Sequence, residues 1–365
     1  MMFFKVKNSK LINIILIFFS SLLPILAADF ILKNLRLPKD SSRIMLLAGS
    51  SLYSSKNGYR RYEANKNIEQ IAIYHDQIAY RYFYNSNNLG LVSYPDLKNN
   101  IELDLTINGD SFAEGQGGYP WIIEWQKNEL KKLDILSLNY AIAGNGFGDF
   151  LKASSNARKN YNAKKNIIFF IEHDAYRPYQ EISKNKKCSF YSNGLLDNIL
   201  GNLTCKTYGI VWHHINSNKT NTQILNDSKY LQQYGVFPTF YSFFKTLRNF
   251  SFKKEIKKSN DQINIPHTND NLRFGPIPTE TKIAIKEINK LFGKENVLYV
   301  KLPDSKGESN IKSKIFIKLI SEVDNNKVLD LGEICILTKT DFHHLDNHPN
   351  IKGYKKIKKC IVENK

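Results

Sequence analysis

Ser111 lies in the stretch "INGDSFAEGQGGYPW", residues 107–121. An apolar alternation (Ile101, Leu103, Leu105, Ile107) runs into Gly109-Asp110-Ser111, then glycines, then a helix-like segment opening at Pro120. Two readings compete. In one, Gly109 permits a tight βα bend and Ser111 caps the helix. In the other, the turn raises Ser111 as a nucleophile, as hydrolases do at a strand-to-helix corner. A serine nucleophile needs a general base, and the base needs an orienting carboxylate. The stretch "DNHPNIKGY", residues 346–354, offers both from one polar loop, because Asp346 and His348 stand two apart ahead of a Pro349-Asn350 helix start. A solvated turn is the plain alternative. A rival pair, Asp341 and His344 in "DFHHLD", lacks the following Pro-Asn.

Metal chemistry finds less support. His213-His214 and His343-His344 have no carboxylate or cysteine at ligand spacing, and no CxxC occurs. These histidines read as structural or surface residues, and neither a metal nor a cofactor is expected.

The elements that must position these residues follow a βα rhythm from residue 101. Strand "IELDLTI" precedes a helix near 119–132, then strand "LDILSLN", a helix near 149–159 and strand "NIIFFIE". After "FGPIPTE" come a helix near 278–292, strand "NVLYVKLP", a helix near 311–322 and a closing helix after Pro349. Short apolar runs separated by helix-length segments predict a mostly parallel sheet covered on both faces, a three-layer α/β/α fold. Residues 40–100 read as a small β-rich N-terminal extension, and 101–365 as the α/β domain. An irregular insertion near 175–275, rich in tyrosine, asparagine and lysine, contains "GIVWHHI" as a further strand. In open α/β sheets ligands bind beyond the carboxyl ends of the strands. Such ends carry Ser111, Gly144 and His173-Asp174, with Asp346 and His348 before the last helix.

Composition narrows the class. The chain has 365 residues, is 42% hydrophobic and carries a formal net charge of +18. That charge invites a nucleic-acid partner. The lysines, however, are scattered among asparagines and isoleucines, with no zinc pattern or RNA-binding signature, so none is expected; an anionic envelope surface fits equally well. Lys5, Lys7 and Lys10 precede an uncharged run, residues 11–28, that would span about 27 Å as a helix. Residues 1–39 therefore read as a signal peptide or uncleaved signal anchor with its linker, the latter tying the chain to the inner membrane. Either way residues 40–365 are expected outside the cytoplasm, exported to the periplasm or held on the membrane's outer side. Oxidising surroundings would suit pairing of Cys188 with Cys205 and of Cys335 with Cys360, while four free thiols are the alternative.

Taken in order, Gly109-Asp110-Ser111, "NYAIAGNGFG", the strand ending in His173-Asp174, and Asp346-Asn347-His348-Pro349-Asn350 with Gly353 resemble the four blocks of the SGNH/GDSL hydrolase superfamily, over roughly residues 85–360. The likeness is to its membrane-anchored or periplasmic esterase and O-acyltransferase members. The resemblance implies a flavodoxin-like sheet, with Ser111 as nucleophile, His348 as general base and Asp346 as its orienter. It also implies backbone N–H donors of Ser111 and Gly144 in an oxyanion hole. The family's third donor is an asparagine side chain; His173 holds that place here, with Asn145 as the fallback. The implied activity is ester hydrolysis or O-acyl transfer through an acyl-enzyme, on acylated carbohydrate of the envelope or another small ester. A non-catalytic carbohydrate-binding protein retaining the fold is the alternative that the departure at His173 favours.

Overall fold

A computed structural model describes residues 44–74, 77–97, 101–177, 179, 212–228, 276–303 and 311–363, with positions 20, 23, 24 and 27. Nearly all of the expected N-terminal signal, most of the expected insertion, and Cys188 and Cys205 lie outside the described residues. Among those described, no helix is long and apolar enough to cross a membrane.

The N-terminal extension begins with β1 (Ile44–Ala48), the two-residue pair β2 (Tyr53–Ser54) and β3 (Arg60–Arg61), and then β4 (Asn67–Tyr74) and β5 (Gln77–Asn85). The α/β region adds β6 (Leu105–Asn108), α1 (Ser111–Glu114), α2 (Trp121–Trp125), β7 (Ser137–Asn139), α3 (Phe147–Tyr161) and β8 (Lys165–Phe170). Next come β9 (Trp212–Ile215), α4 (Asn221–Ser228), α5 (Thr279–Phe292), β10 (Val297–Lys301), α6 (Ile311–Glu322), β11 (Val328–Asp330), α7 (Leu331–Ile334) and α8 (Ile351–Glu363).

Five strands form one parallel sheet in the order β11-β10-β8-β6-β7. Counted from β6 as the first strand, this is the flavodoxin-like order 2-1-3-4-5. Side chains alternate across it with the period of a strand. Ile168, Phe170 and Tyr299 pack with Phe147, Phe150, Ile285 and Ile288 of α3 and α5 on one face. On the other, Ile107, Phe169 and Val300 pack with Trp121, Trp125, Tyr354 and Ile357 of α2 and α8. Both faces being covered explains why β8 and β10 read as apolar runs rather than alternations.

A second sheet, in the order β5-β4-β1-β9, is antiparallel except for the β1–β9 edge. Of "GIVWHHI", Trp212–Ile215 does form a strand, and it closes the edge of the N-terminal sheet rather than joining the parallel one. One face of this sheet buries Met45, Ile68 and Tyr80 in the same core as α3 and α5. The other buries Leu46, Ile71 and Ile73 with Ile224 of α4. The helix expected near 119–132 starts as α2 but continues in a π turn (Gln126–Leu130) and a 3-10 turn (Lys131–Leu133).

Candidate active site

The turn after β6 is built around close approach. A Cβ at Gly109 would collide with the Ala113 side chain and lie 3.1 Å from the Phe169 carbonyl, so the bend is packed against β8. Asp110, not Ser111, caps α1: its Oδ1 accepts from Phe112 N–H at 2.9 Å. Ser111 is left at the first helical position, where its N–H has no intrahelical acceptor, and its Oγ is free to turn toward a partner from elsewhere in the chain.

That partner is His348. Its Nε2 lies 2.8 Å from Ser111 Oγ, and its Nδ1 lies 2.7 Å from Asp346 Oδ1. With the carboxylate accepting from Nδ1–H, the neutral ring presents Nε2 as an acceptor for the serine proton. Ser111, Asp346 and His348 are 3%, 5% and 6% exposed, so the chain of bonds is largely buried. The loop that carries the pair is tied down. Phe342 and Pro349 bridge, His343 N–H donates to the His348 carbonyl, and Asn350 N–H donates to the Asp341 carbonyl. Asp341 itself is buried, accepting from Thr338 N–H at 2.8 Å and Lys356 Nζ at 2.6 Å, while His344 is exposed. The rival pair is therefore not brought together at Ser111.

Gly144 occupies the loop after β7 with φ +82°, a conformation that favours glycine. The loop is bound to the serine turn, since Ile142 N–H and Asn145 Nδ2 each donate to the Gly109 carbonyl at 3.2 Å. Asn145 Nδ2 also donates to the Tyr140 carbonyl at 3.3 Å. His173 stands in a 3-10 turn (Glu172–Tyr176) just past β8 and is exposed. Because β8 pairs directly with β6, His173 and Ser111 follow adjacent strand ends, the place where the order of this sheet reverses. The hydrogen bonds described for Ser111 Oγ run to His348 and to Asp110.

Two charged clusters support the turn that sequence reading did not single out. Arg177 Nη1 donates to Asp174 Oδ1 at 2.6 Å, Asp110 Oδ2 at 3.2 Å and the Asn145 carbonyl at 2.9 Å. Burial, reinforced by the nearby Asp110 charge, holds the Asp174 carboxyl well above the usual carboxylate range. Glu114, one helical turn from Ser111, is buried as well. Its Oε1 accepts from Tyr62 OH at 2.6 Å and its Oε2 from Ala143 N–H at 2.9 Å, next to Gly144. Burial pushes Glu114 up to about 7, against the hydrogen bonds from Tyr62, Ala143 and Tyr84 that favour its charged form. Its position three residues after Ser111 was the one available signal. Among the described residues no His, Cys, Asp and Glu group could hold a metal ion.

No family model and no curated protein matches the chain. Among solved structures it is similar to a lipase/acylhydrolase from Enterococcus faecalis, 13% identical over 72% of this chain and 94% of that one, with a TM-score of 0.34. It is also similar to the psychrotrophic esterase EstA from Pseudoalteromonas sp. (14% identity, 71% and 94% covered, TM-score 0.33). A third is a family 3 carbohydrate esterase from Clostridium thermocellum (13% identity, 72% and 94% covered, TM-score 0.33). At these scores the likenesses stand beside the geometry of Ser111, His348 and Asp346 rather than supporting any step drawn from it.

Proposed function

We propose that the chain is a serine-dependent esterase or O-acyltransferase acting on acyl, chiefly acetyl, esters of envelope polysaccharide. The observation that carries this reading is the continuous chain from Asp346 through His348 to Ser111 Oγ, with contacts of 2.7 and 2.8 Å. Ser111 Oγ attacks the ester carbonyl carbon as its proton passes to His348 Nε2, and Asp346 stabilises the imidazolium that results. The carbonyl oxygen gains the electron pair and is met by the N–H groups of Ser111 and Gly144, with a third donor from exposed His173. Collapse expels the alcohol, which takes the proton from His348, and leaves an acyl-serine. Water or a sugar hydroxyl then repeats the sequence, giving hydrolysis or transfer.

Export is part of the same proposal. The basic residues ahead of the uncharged run 11–28 argue for it, and so does the Cys335–Cys360 disulfide, since such bonds persist in oxidising compartments. Hydrolysis of a chromogenic acetyl ester by the wild-type chain and by Ser111→Ala tests the serine chemistry. Turnover by wild type with loss in the variant is expected; equal turnover by both would remove Ser111 from the reaction.

A further inference from the structure

A cavity of about 810 Å³ opens beside the triad, between β5 of the N-terminal sheet and α8. Neither Ser111 nor His348 lines it, but Tyr80 does, and the Tyr80 and His348 rings are 6.3 Å apart between centroids. One wall is the face of α8 that presents Lys352, Lys355, Lys356 and Lys359. Their spacing of three and four residues stacks them along one side of the helix. The opposite side buries Tyr354 and Ile357 in the core, and Lys358 turns away to Glu124 at 2.8 Å. The facing wall is β5, through Tyr80, Arg81 and Tyr82, with the Arg81 guanidinium turned to Glu69, Asn221 and the Lys219 carbonyl on the other face of the sheet.

A run of lysines on a helix is ordinarily a solvated face. Two features separate this one from that case. The lysines line a concavity, and that concavity reaches the serine site through Tyr80, whose ring lies 6.3 Å from the His348 ring. Lys356 and Lys352 share the single carboxylate of Asp341, at 2.6 and 3.7 Å. Arg81 pairs with Glu69, and Lys359 lies 3.6 Å from Glu363 at the helix end. Lys355 and Lys359 are exposed. Like charges at such spacings destabilise a helix by a few tenths of a kcal/mol each, a cost that a bound polyanion would reverse.

We propose that this groove binds an anionic glycan, a chain bearing carboxylate or phosphate groups, and leads it past Tyr80 to the serine. That the polyanion is a glycan, and the acyl-bearing substrate, rests on the esterase reading above; the binding of a polyanion does not. A concave site does not present the flat face that the plane of a bilayer would need, and on the esterase reading the neighbouring serine acts on esters of sugar hydroxyls, which favours a glycan over a nucleic acid.

The test measures binding of fluorescently labelled polygalacturonate, poly(glycerol phosphate) and neutral dextran to the full chain. Wild type and the double variant Lys355→Glu/Lys359→Glu are compared at low and moderate salt. Either anionic polymer should bind and dextran should not, and affinity should fall steeply with salt as the exposed charges are screened. The double variant should bind about tenfold or more weakly, while its turnover of a small neutral chromogenic ester stays within about twofold of wild type. The tighter of the two polymers at equal charge identifies the anion. Failure of both to bind wild type, or equal binding by the variant, overturns the proposal. So does a DNA oligonucleotide or a phosphatidylglycerol vesicle that binds as tightly as the glycans and is lost on the same substitutions. Glycan binding by a chain that hydrolyses no ester leaves the groove standing and removes the serine reading instead.

Discussion

Ser111 Oγ has two acceptors in reach, His348 Nε2 at 2.8 Å and Asp110 Oδ2 at 3.2 Å. Only a proton on the first makes the oxygen nucleophilic by the route proposed. Arg177 bonds the same Asp110 oxygen, so its charge weakens the competing acceptor and leaves the hydroxyl to His348. Arg177→Met should therefore lower kcat by about tenfold with little change in KM, as expected for a group acting through a neighbour rather than on substrate. A changed KM with normal kcat would place Arg177 in binding instead. His348→Ala should abolish ester turnover, and His344→Ala should not, since His344 is exposed and stands outside the chain of bonds. If His173 supplies the third donor, His173→Ala should lose on the order of 100-fold in turnover and His173→Asn should restore much of it. An alanine variant as active as wild type would show that the strand-end histidine donates nothing.

At the scale of elements, α1 joins the serine turn to the N-terminal sheet through Glu114. Tyr62 and Tyr84 reach the carboxylate from that sheet and its flanking loop, Gln70 Nε2 donates to Tyr62 OH at 2.8 Å, and Ala143 N–H closes the network beside Gly144. Because the folded chain holds Glu114 near 7, above its ordinary 4.5, the native state binds the extra proton across that interval. Stability contributed by this group is thus greatest below about pH 4.5 and falls as pH rises toward 7, by an amount on the order of 3 kcal/mol. Glu114→Gln should flatten that part of the stability-against-pH curve in urea unfolding; an unchanged slope would show that Glu114 ionises normally. None of this was legible in the sequence, because the partners lie on strands distant along the chain and only the fold assembles them. Ser111, Asp346 and His348 were legible, each being a local pattern of a few residues. Likewise β8 and β10 announced themselves as apolar runs, and β6 as an apolar alternation. Strand β11, three half-buried residues, has no such run, and β9 could be read as a strand but not assigned to a sheet, since register with β1 is a tertiary fact.

At the scale of the whole molecule, the loop bearing Asp346 and His348 contributes no strand to the sheet. It leaves the end of α7 and returns into α8, anchored by its own internal bonds, by Phe342 in the core, by His343 Nε2 at 2.6 Å from the Gly117 carbonyl and by the His348 ring 4.9 Å from that of Phe112. The Cys335–Cys360 disulfide ties the residue after α7 to the last turns of α8, with Cα atoms 5.7 Å apart and a sequence separation of 25 residues, so the base and its carboxylate lie inside the closed loop. In the chain-entropy account a loop of that length is worth roughly 3 to 4 kcal/mol. Cys335→Ser with Cys360→Ser, or reduction of the wild-type chain, should lower stability by about that amount. Geometry adds a sharper expectation. An opened loop lets His348 leave Ser111, so activity should fall at temperatures well below the global unfolding midpoint. Restoring the oxidised bond should recover it. Activity and thermal unfolding followed together, with and without reductant, separate the two effects. Loss of activity that tracks global unfolding alone would mean that the hydrogen bonds of the 341–350 loop hold the triad without help from the disulfide.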